Sequence, residues 1–228
     1  MSLTAPHVVF LSGTLHDGSK ADRLARWCAQ QCGELSTTVF TGTELEFPFF
    51  RMPNGRRGAQ IQHYLAELSG ADGIVLISPV YHGTVSGLLK NALDYVNDLA
   101  DDRRPFLEGR PVGCVALAEG DQGAASTIAT LRTIAHALRG WPTPLGVTLS
   151  RDLAVLRPDG EPVQAQTRRR LDIMLDQVLS LAWLNASRRG ESGILPPGRI
   201  LPAPGSGGKE AAVLASIHGV PPRSSSTA

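Results

Sequence analysis

A short apolar run at residues 73–78, Gly-Ile-Val-Leu-Ile-Ser, constrains the fold of this chain more than any other segment. Every residue between Gly73 and Ser78 is β-branched or leucine, which predicts a parallel strand buried on both faces. Such a strand requires helices on both sides of its sheet. Because Pro79 lacks a backbone donor, we expect the strand to end there.

The segment that follows this strand predicts a loop and then an amphipathic helix. Residues 80–84, Val-Tyr-His-Gly-Thr, favour neither strand nor helix. Apolar residues then recur at helical spacing, at Leu88, Leu89, Ala92, Leu93 and Val96. Because ligands of open α/β sheets bind outside the carboxyl ends of the strands, this loop is a candidate binding site.

Strand-like and helix-like segments alternate along most of the chain. Further apolar runs predict strands at residues 7–12, 36–40, 112–118 and 145–150. Helical patterns lie at about residues 20–34, 61–70, 128–138 and 171–182. This alternation predicts an α/β fold, a three-layer α/β/α sandwich with a five-stranded parallel sheet in the order 2-1-3-4-5.

We expect one globular domain at residues 1–189 and a different kind of segment at residues 190–228. The latter is rich in Pro, Gly and Ser. Such a composition buries little apolar surface, and we expect the segment to be largely flexible.

The balance of charge indicates a small-molecule partner. The 228 residues include 22 Lys and Arg against 21 Asp and Glu, without a long block of one sign. We therefore expect no nucleic-acid and no membrane partner. The sequence has no signal-like start and no long apolar span, so we expect a cytoplasmic protein.

Cysteine and metal chemistry are not favoured. Cys28, Cys32 and Cys114 lack metal-ligand spacing, and we expect reduced, buried thiols, with a redox pair of Cys28 and Cys32 as the alternative. GxSxG and HExxH motifs do not occur, so no metal site and no hydrolase is predicted.

Two other strand ends also lead into polar, glycine-bearing loops. The first loop, residues 12–19, offers the hydroxyls of Thr14 and Ser19 at a helix start, where an anion such as phosphate is stabilised, although Ser19 also suits a plain helix cap. The second loop is residues 80–84, and the third loop, residues 119–123, contains Gly120, Asp121 and Gly123. Parallel strands place the three loops on one edge of the sheet.

The second loop and the helix after it resemble the second FMN-binding loop of the NADPH-dependent FMN reductase family, whose pattern is roughly SPxYxGxxxGxLKNAxD. The matching residues are Ser78, Pro79, Tyr81, Gly83, Gly87, Leu89, Lys90, Asn91, Ala92 and Asp94. The first loop resembles the family's phosphate loop, commonly GSxRxxSxN, at Gly13, Thr14, Leu15 and Ser19. His16 and Ala21 stand where the family has arginine and asparagine.

The resemblance implies a flavodoxin-like fold with FMN bound by the three loops. The phosphate would be held by Gly13, Thr14, Leu15, His16 and Ser19. The isoalloxazine ring would lie along Pro79, Val80, Tyr81, His82, Gly83 and Thr84, with Gly120, Asp121 and Gly123 against its dimethylbenzene or ribityl side. His82 stands where the family often has asparagine, so its imidazole either donates to the ring or only bonds a neighbour.

The implied activity is that of an NAD(P)H-dependent flavin reductase. Hydride would pass from NADPH or NADH to flavin N5 and on to a small-molecule acceptor such as free flavin, without a catalytic side chain. A flavin-dependent monooxygenase is a candidate recipient. Alternatives are a quinone, azo or metal-oxyanion reductase of the same family, a flavodoxin-type electron carrier, and a flavinless binding protein, which His16 and Ala21 keep open.

The resemblance also suggests an assembly. Relatives commonly form dimers or tetramers, so we expect a homodimer or homotetramer, with Phe47, Phe49 and Phe50 as candidate interface residues. Arg56 and Arg57 are candidates for the NADPH phosphate, with a structural role favoured instead, and the arginines at 168–170 are expected to precede the last helix.

Overall fold

The computed structural model describes residues 5–52 and 57–190, with side chains to residue 187. Residues 191–228, most of the segment predicted to be flexible, lie outside the described residues, as does Arg56. In the described part, no helix is long and apolar enough to cross a lipid bilayer.

The described elements follow the predicted alternation. The strands are β1 (His7–Ser12), β2 (Ser36–Phe40), β3 (Gly73–Tyr81), β4 (Thr84–Val85), β5 (Pro111–Ala118), β6 (Trp141–Pro142) and β7 (Val147–Ser150). The α-helices are α1 (Lys20–Gln31), α2 (Ala59–Gly70), α3 (Gly87–Asp94), α4 (Asp121–Ala137) and α5 (Ala165–Gly190). Short 3-10 turns occupy Gly42–Leu45, Tyr95–Leu99 and Arg151–Ala154.

The sheet order is β2-β1-β3-β5-β6, with β7 also paired to β5 and β4 paired to β3. All pairs are parallel except that of β3 and β4. The order 2-1-3-4-5 is confirmed, but within the described residues the sheet has seven strands instead of five. One reason is that the fifth position is split: β6 pairs with the start of β5 and β7 with its end. The other is the added antiparallel strand β4.

The sheet lies between two apolar cores, which confirms the predicted three layers. In β3, Ile74 and Leu76 point into the core formed with α2, α3 and α4. Val75 and Ile77 point into the core formed with α1 and α5. All four side chains are fully buried, and each contributes about 1.5 to 3 kcal/mol by leaving water. The apolar run therefore supplies both cores at once.

The prediction that β3 ends at Pro79 is wrong, since the strand continues to Tyr81. The N–H of Gly13 donates to the carbonyl of Ile77 at 2.9 Å, so odd-numbered residues of β3 direct their polar backbone groups toward β1. The pairing with β1 ends at Ile77, and on that side Pro79 lies beyond the last paired residue. The missing N–H therefore costs no ladder hydrogen bond.

Several helix ends also differ from expectation. α1 ends at Gln31 rather than near residue 34, because Gly33 adopts the left-handed conformation with φ +65°. The α-helical part of α3 ends at Asp94 and continues as a 3-10 turn. The arginines at 168–170 lie inside α5 instead of before it, and one of them, Arg170, donates to the Thr148 carbonyl at 3.3 Å.

The buried side chain of Arg110 fixes the end of α2. Its guanidinium donates to the carbonyls of Ser69 at 2.6 Å, Ala71 at 3.0 Å and Phe106 at 3.1 Å. Ser69 and Ala71 lie at the carboxyl terminus of α2, where carbonyls lack helical partners and a positive charge is stabilising. Arg110 therefore joins α2 to the start of β5.

We expect Arg110→Met to lower the free energy of unfolding by about 2 to 4 kcal/mol, because the buried carbonyls lose their charged donor. Urea denaturation followed by circular dichroism measures this loss. Arg169→Met, at an exposed position of α5, is the matched control and should change stability by less than about 0.5 kcal/mol. Equal effects of the two substitutions would contradict this role of Arg110.

Candidate functional site

The three predicted loops lie at one edge of the sheet. β1, β3 and β5 are parallel neighbours, so their carboxyl ends face the same side. The first loop follows β1, the second loop follows β3, and the third loop follows β5. The prediction that the three loops share one edge of the sheet is therefore confirmed.

Gly13 brings the first loop against the start of α3. A Cβ atom at Gly13 would lie 2.6 Å from the Ser86 Oγ and 2.7 Å from the Leu89 Cβ. Any larger residue would push the first loop and α3 apart, because both neighbours are buried. Glycine at this position is what lets the first and second loops share one site.

The first loop presents unused hydrogen-bond donors. Ser19 caps α1 by accepting the N–H of Asp22 at 3.1 Å, and Thr14 Oγ1 accepts the N–H of His16 at 3.2 Å. Each hydroxyl accepts in these bonds and keeps its hydrogen for donation. Within the described residues, the backbone N–H groups of Thr14, Leu15, Asp17 and Gly18 have no acceptor. The predicted cap is confirmed, and the loop is suited to an anion.

The charges around the first loop are mixed. His16 and Asp17 are exposed. Asp22, in the first turn of α1, is buried and accepts a hydrogen bond from the Ser12 hydroxyl at 2.6 Å. An anion bound at this helix start would share the helix dipole with that carboxylate. Sequence reasoning did not identify Asp22 as part of the site.

The second loop is a β-hairpin, so the expectation of an irregular loop is wrong. Tyr81 pairs with Thr84, and Val80 pairs with Val85. The two turn residues, His82 and Gly83, have φ of +52° and +79°. Positive φ at both central residues is the conformation of a type I′ turn, which suits two-residue hairpins. His82, Tyr81 and Thr84 are exposed, and Gly83 is half-buried.

Two serine side chains fix the base of the hairpin. The Ser78 hydroxyl accepts the N–H of Ser86 at 3.0 Å and donates to the Pro79 carbonyl at 2.7 Å. The Ser86 hydroxyl accepts the N–H of Leu89 at 3.2 Å and caps α3. Both serines are buried, so strand, hairpin and helix form one connected unit.

The third loop is shorter than predicted. Asp121 and Gly123 lie in the first turn of α4, with Gly120 as the residue before the helix. Asp121 accepts a hydrogen bond from the Ser150 hydroxyl at the end of β7. A Cβ at Gly123 would lie 3.0 Å from the Val80 Cγ1, so glycine is used here for close approach of α4 to the hairpin.

The hairpin tip also contacts α4. The Ser126 hydroxyl donates to the Gly83 carbonyl at 2.6 Å. Backbone at Gly83 and Gly120 faces open space, since a Cβ at either would meet no atom within 4 Å. The structure thus brings the second and third loops together, through a serine that no sequence pattern indicated.

The segment at residues 47–50 is fixed by Asn91 of α3 and by Tyr95 in the turn after that helix. The Asn91 amide donates to the carbonyls of Phe47 and Pro48, both at 3.1 Å, and its oxygen accepts the N–H of Phe50 at 2.9 Å. The Tyr95 hydroxyl donates to the Pro48 carbonyl at 2.9 Å. Asn91 therefore has a structural role that its place in the matched pattern did not specify.

The aromatic and arginine residues of this region divide into buried and exposed groups. Phe47 is only 8% exposed, whereas Phe49 is 84% exposed. Arg57 donates to Asp98 at 2.6 Å and lies over the Tyr95 ring, 4.7 Å from its centroid. The structural role favoured for Arg57 agrees with these contacts, and the suggestion that Phe47 lies at an interface does not agree with its burial.

The cysteines are free thiols buried in the protein. Burial raises the pKa of Cys32 to about 11 and that of Cys114 to about 12. The pKa of Cys28 is raised further, by burial first and by the nearby Cys32 and Asp172 second. All three therefore stay neutral near pH 7 and are poor nucleophiles. The described residues contain no His, Cys, Asp and Glu cluster that could hold a metal ion.

Comparison with known proteins places these features in a family. Residues 6–153 match the model of the family described as NADPH-dependent FMN reductase. The chain is 30% identical over 123 residues to the NADPH azoreductase of Bacillus sp. (strain OY1-2). This match covers 53% of this chain and 64% of that protein. The chain is 32% identical over 125 residues to the FMN-dependent NADPH-azoreductase of Staphylococcus haemolyticus (strain JCSC1435), covering 53% of this chain and 61% of that protein. The chain thus spans less than two thirds of either relative's length.

A solved structure supports the fold. An oxidoreductase from Corynebacterium diphtheriae matches with a TM-score of 0.60 and 20% identity, covering 78% of this chain and 97% of that chain. At this identity the likeness concerns the fold alone. Together with the strand order, it confirms the flavodoxin-like α/β class.

Proposed function

Because this chain belongs to the NADPH-dependent FMN reductase family, we propose that it is an NAD(P)H-dependent reductase that binds FMN where its three loops meet. The observation that carries the proposal is their convergence: Gly13 approaches Ser86, Gly123 approaches Val80, and Ser126 bonds Gly83. These contacts join three separate strand ends into one continuous surface.

The donors of the first loop fit a phosphate group. The hydroxyls of Thr14 and Ser19 keep their hydrogens, and several backbone N–H groups beside them have no acceptor in the described chain. Such groups at a helix start stabilise a dianion. Gly13, Leu15 and His16 complete this end, with the exposed His16 imidazole as a further candidate donor.

The hairpin fits the ring end of the cofactor. Its tip, Tyr81 to Thr84, is exposed along the same edge, and Gly83 leaves room for close approach. Within the segment Val80 to Thr84, the backbone N–H groups of His82 and Gly83 lie outside the strand pairing. They would stabilise negative charge that accumulates on the pyrimidine part of the ring. Pro79 precedes the tip, and Gly120, Asp121 and Gly123 would lie toward the dimethylbenzene or ribityl side.

When bound, FMN supplies the chemistry by accepting hydride from NADPH or NADH at N5 and passing the electrons to an acceptor. The protein residues bind, orient and polarise; none of those placed at this edge is assigned as a nucleophile. Asp121 accepts a hydrogen bond from Ser150, which supports a structural rather than an acidic role.

We propose a flat aromatic small molecule as the acceptor. The Tyr81 ring is 52% exposed beside the turn and would stack on such a molecule. Free FMN is the first candidate, with a flavin-dependent monooxygenase as its recipient. An azo compound is the second, because two relatives of this chain are named as azoreductases. Steady-state rates with free FMN and with an azo dye distinguish the two.

The proposal predicts that apo-protein takes up FMN with a dissociation constant of about 1 μM or lower. Isothermal calorimetry measures this uptake. Anaerobic mixing of the loaded protein with NADPH or NADH should then bleach the flavin absorbance. Absence of binding up to millimolar FMN would contradict the proposed function, and binding without bleaching would favour a flavin-binding protein that is not a reductase.

Substitutions of His16 and His82 should have different effects, because the two residues are proposed to lie at opposite ends of FMN. His16→Arg should tighten FMN binding by about 1 kcal/mol, or roughly fivefold, because a guanidinium is a permanently charged, bidentate donor. The guanidinium keeps its charge throughout this range, so the gain should be present at both pH 6 and pH 8. Calorimetry at both pH values measures it. His82→Asn should instead change the rate of flavin bleaching more than the affinity.

The opposite pattern would contradict this assignment of the two ends. It would consist of an unchanged FMN dissociation constant in His16→Arg at both pH values and a loss of binding in His82→Asn. His136→Arg, at an exposed position in the last turn of α4 and close in the chain to the start of β6, is the matched control for an added charge and should leave binding unchanged.

We also propose that the chain forms a homodimer or homotetramer through the surface around Phe49. An aromatic side chain with 84% of its surface exposed favours burial against another protein surface. Light scattering should give a mass at least twice 24.2 kDa, and Phe49→Ser should reduce it. A monomer in both proteins would contradict this proposal.

A further inference from the structure

We propose that Ser126 is a positioning residue that holds the tip of the hairpin in the conformation that binds FMN. The inference rests on the proposed function, because it concerns the same site. Ser126 lies in the second turn of α4 and belongs to none of the matched motifs. Its hydroxyl donates to the carbonyl of Gly83, 43 positions away, at 2.6 Å.

The bond differs from those of four other hydroxyls on α4 and α5. On α4, Thr130 donates to the Ser126 carbonyl at 3.1 Å, and Thr133 donates to the Ala129 carbonyl at 3.0 Å. On α5, Ser180 and Ser187 likewise donate to carbonyls four residues back. This local bond is available to any helical serine. Ser126 bonds another element instead, as does Thr167 of α5, which donates to the Leu153 carbonyl at 3.0 Å.

The tip requires such support because its own hydrogen bonds are few. β4 contains two residues and pairs with β3 at two positions, and a hairpin that short is marginally stable alone. The Ser78 and Ser86 bonds fix its base. The turn residues His82 and Gly83 lie beyond them, and both have positive φ.

The Ser126 bond fixes a peptide plane at the proposed binding edge. Because a trans peptide is planar, holding the Gly83 carbonyl toward α4 fixes the whole peptide unit between Gly83 and Thr84 at the end of the turn. It also fixes the distance between the turn and α4, where Gly123 contacts Val80. Without it, the tip would sample other orientations, and the apparent affinity for FMN would fall with the fraction that is competent to bind.

The test compares Ser126→Ala with Ser126→Thr and with Thr133→Ala as the matched control on the same helix. In apo-protein, hydrogen–deuterium exchange of the peptide covering residues 79–86 should be about fivefold faster in Ser126→Ala than in wild type. FMN affinity by calorimetry should be about fivefold weaker. Ser126→Thr, which keeps a hydroxyl, should restore both, and Thr133→Ala should match wild type.

A purely structural role would not change the midpoint potential of the bound FMN. If the tip donates to the ring where negative charge accumulates, Ser126→Ala should make that potential more negative, whereas Thr133→Ala should leave it unchanged. Ser126→Ala with exchange, affinity and potential equal to those of Thr133→Ala would overturn the role of Ser126. Wild-type protein that takes up no FMN would overturn the proposed function instead, so the two failures are distinguishable.

Discussion

The burial of β3 on both faces is the constraint on which the rest of the structure depends. Ile74 and Leu76 complete one core, and Val75 and Ile77 complete the other. A strand between two cores needs a neighbour on each side, and β1 and β5 supply them in parallel. Parallel pairing sends all three strands toward the same edge. The position of the candidate site is therefore a consequence of how the apolar residues of one strand are distributed.

Two glycines, which lack a side chain, then allow the segments at that edge to approach one another closely. Gly13 lets the first loop contact Ser86, and Gly123 lets α4 contact Val80. Serine hydroxyl groups then hold the hairpin in place. Ser78 and Ser86 bond its base, and Ser126 bonds its tip. The base is held by buried bonds, whereas the tip is held by an exposed residue. The proposed role of Ser126 therefore concerns the tip and not the base of the hairpin.

The sequence predicted those features that depend on neighbours along the chain. The apolar run at residues 73–78 predicted that β3 is buried, and Ser19 was predicted to cap α1. The alternation of strands and helices predicted the strand order. Features that depend on distant residues were missed. Local rules treated Pro79 as a strand end, because the point at which β1 stops pairing is visible only in three dimensions.

The same reason explains the other differences. Sequence rules assigned Gly123 to a loop, but the contact with Val80 accounts for glycine inside α4. Ser126 and Asn91 bond carbonyls more than 40 positions away, and no local pattern reports such a pairing. The alternation of elements predicted the shared edge, and the family pattern named several residues that lie there. The pattern did not locate the side chains that position them.

The central claim is that three separate segments at one edge of the sheet bind a single FMN molecule. Titration of FMN into ¹⁵N-labelled apo-protein, followed by nuclear magnetic resonance, tests it most directly. The account predicts that the backbone N–H signals of residues 13–19, 80–84 and 120–123 shift together with one dissociation constant, while those around Arg110 at the opposite edge do not move. Shifts confined to one of the three segments, or centred on the opposite edge, would contradict it.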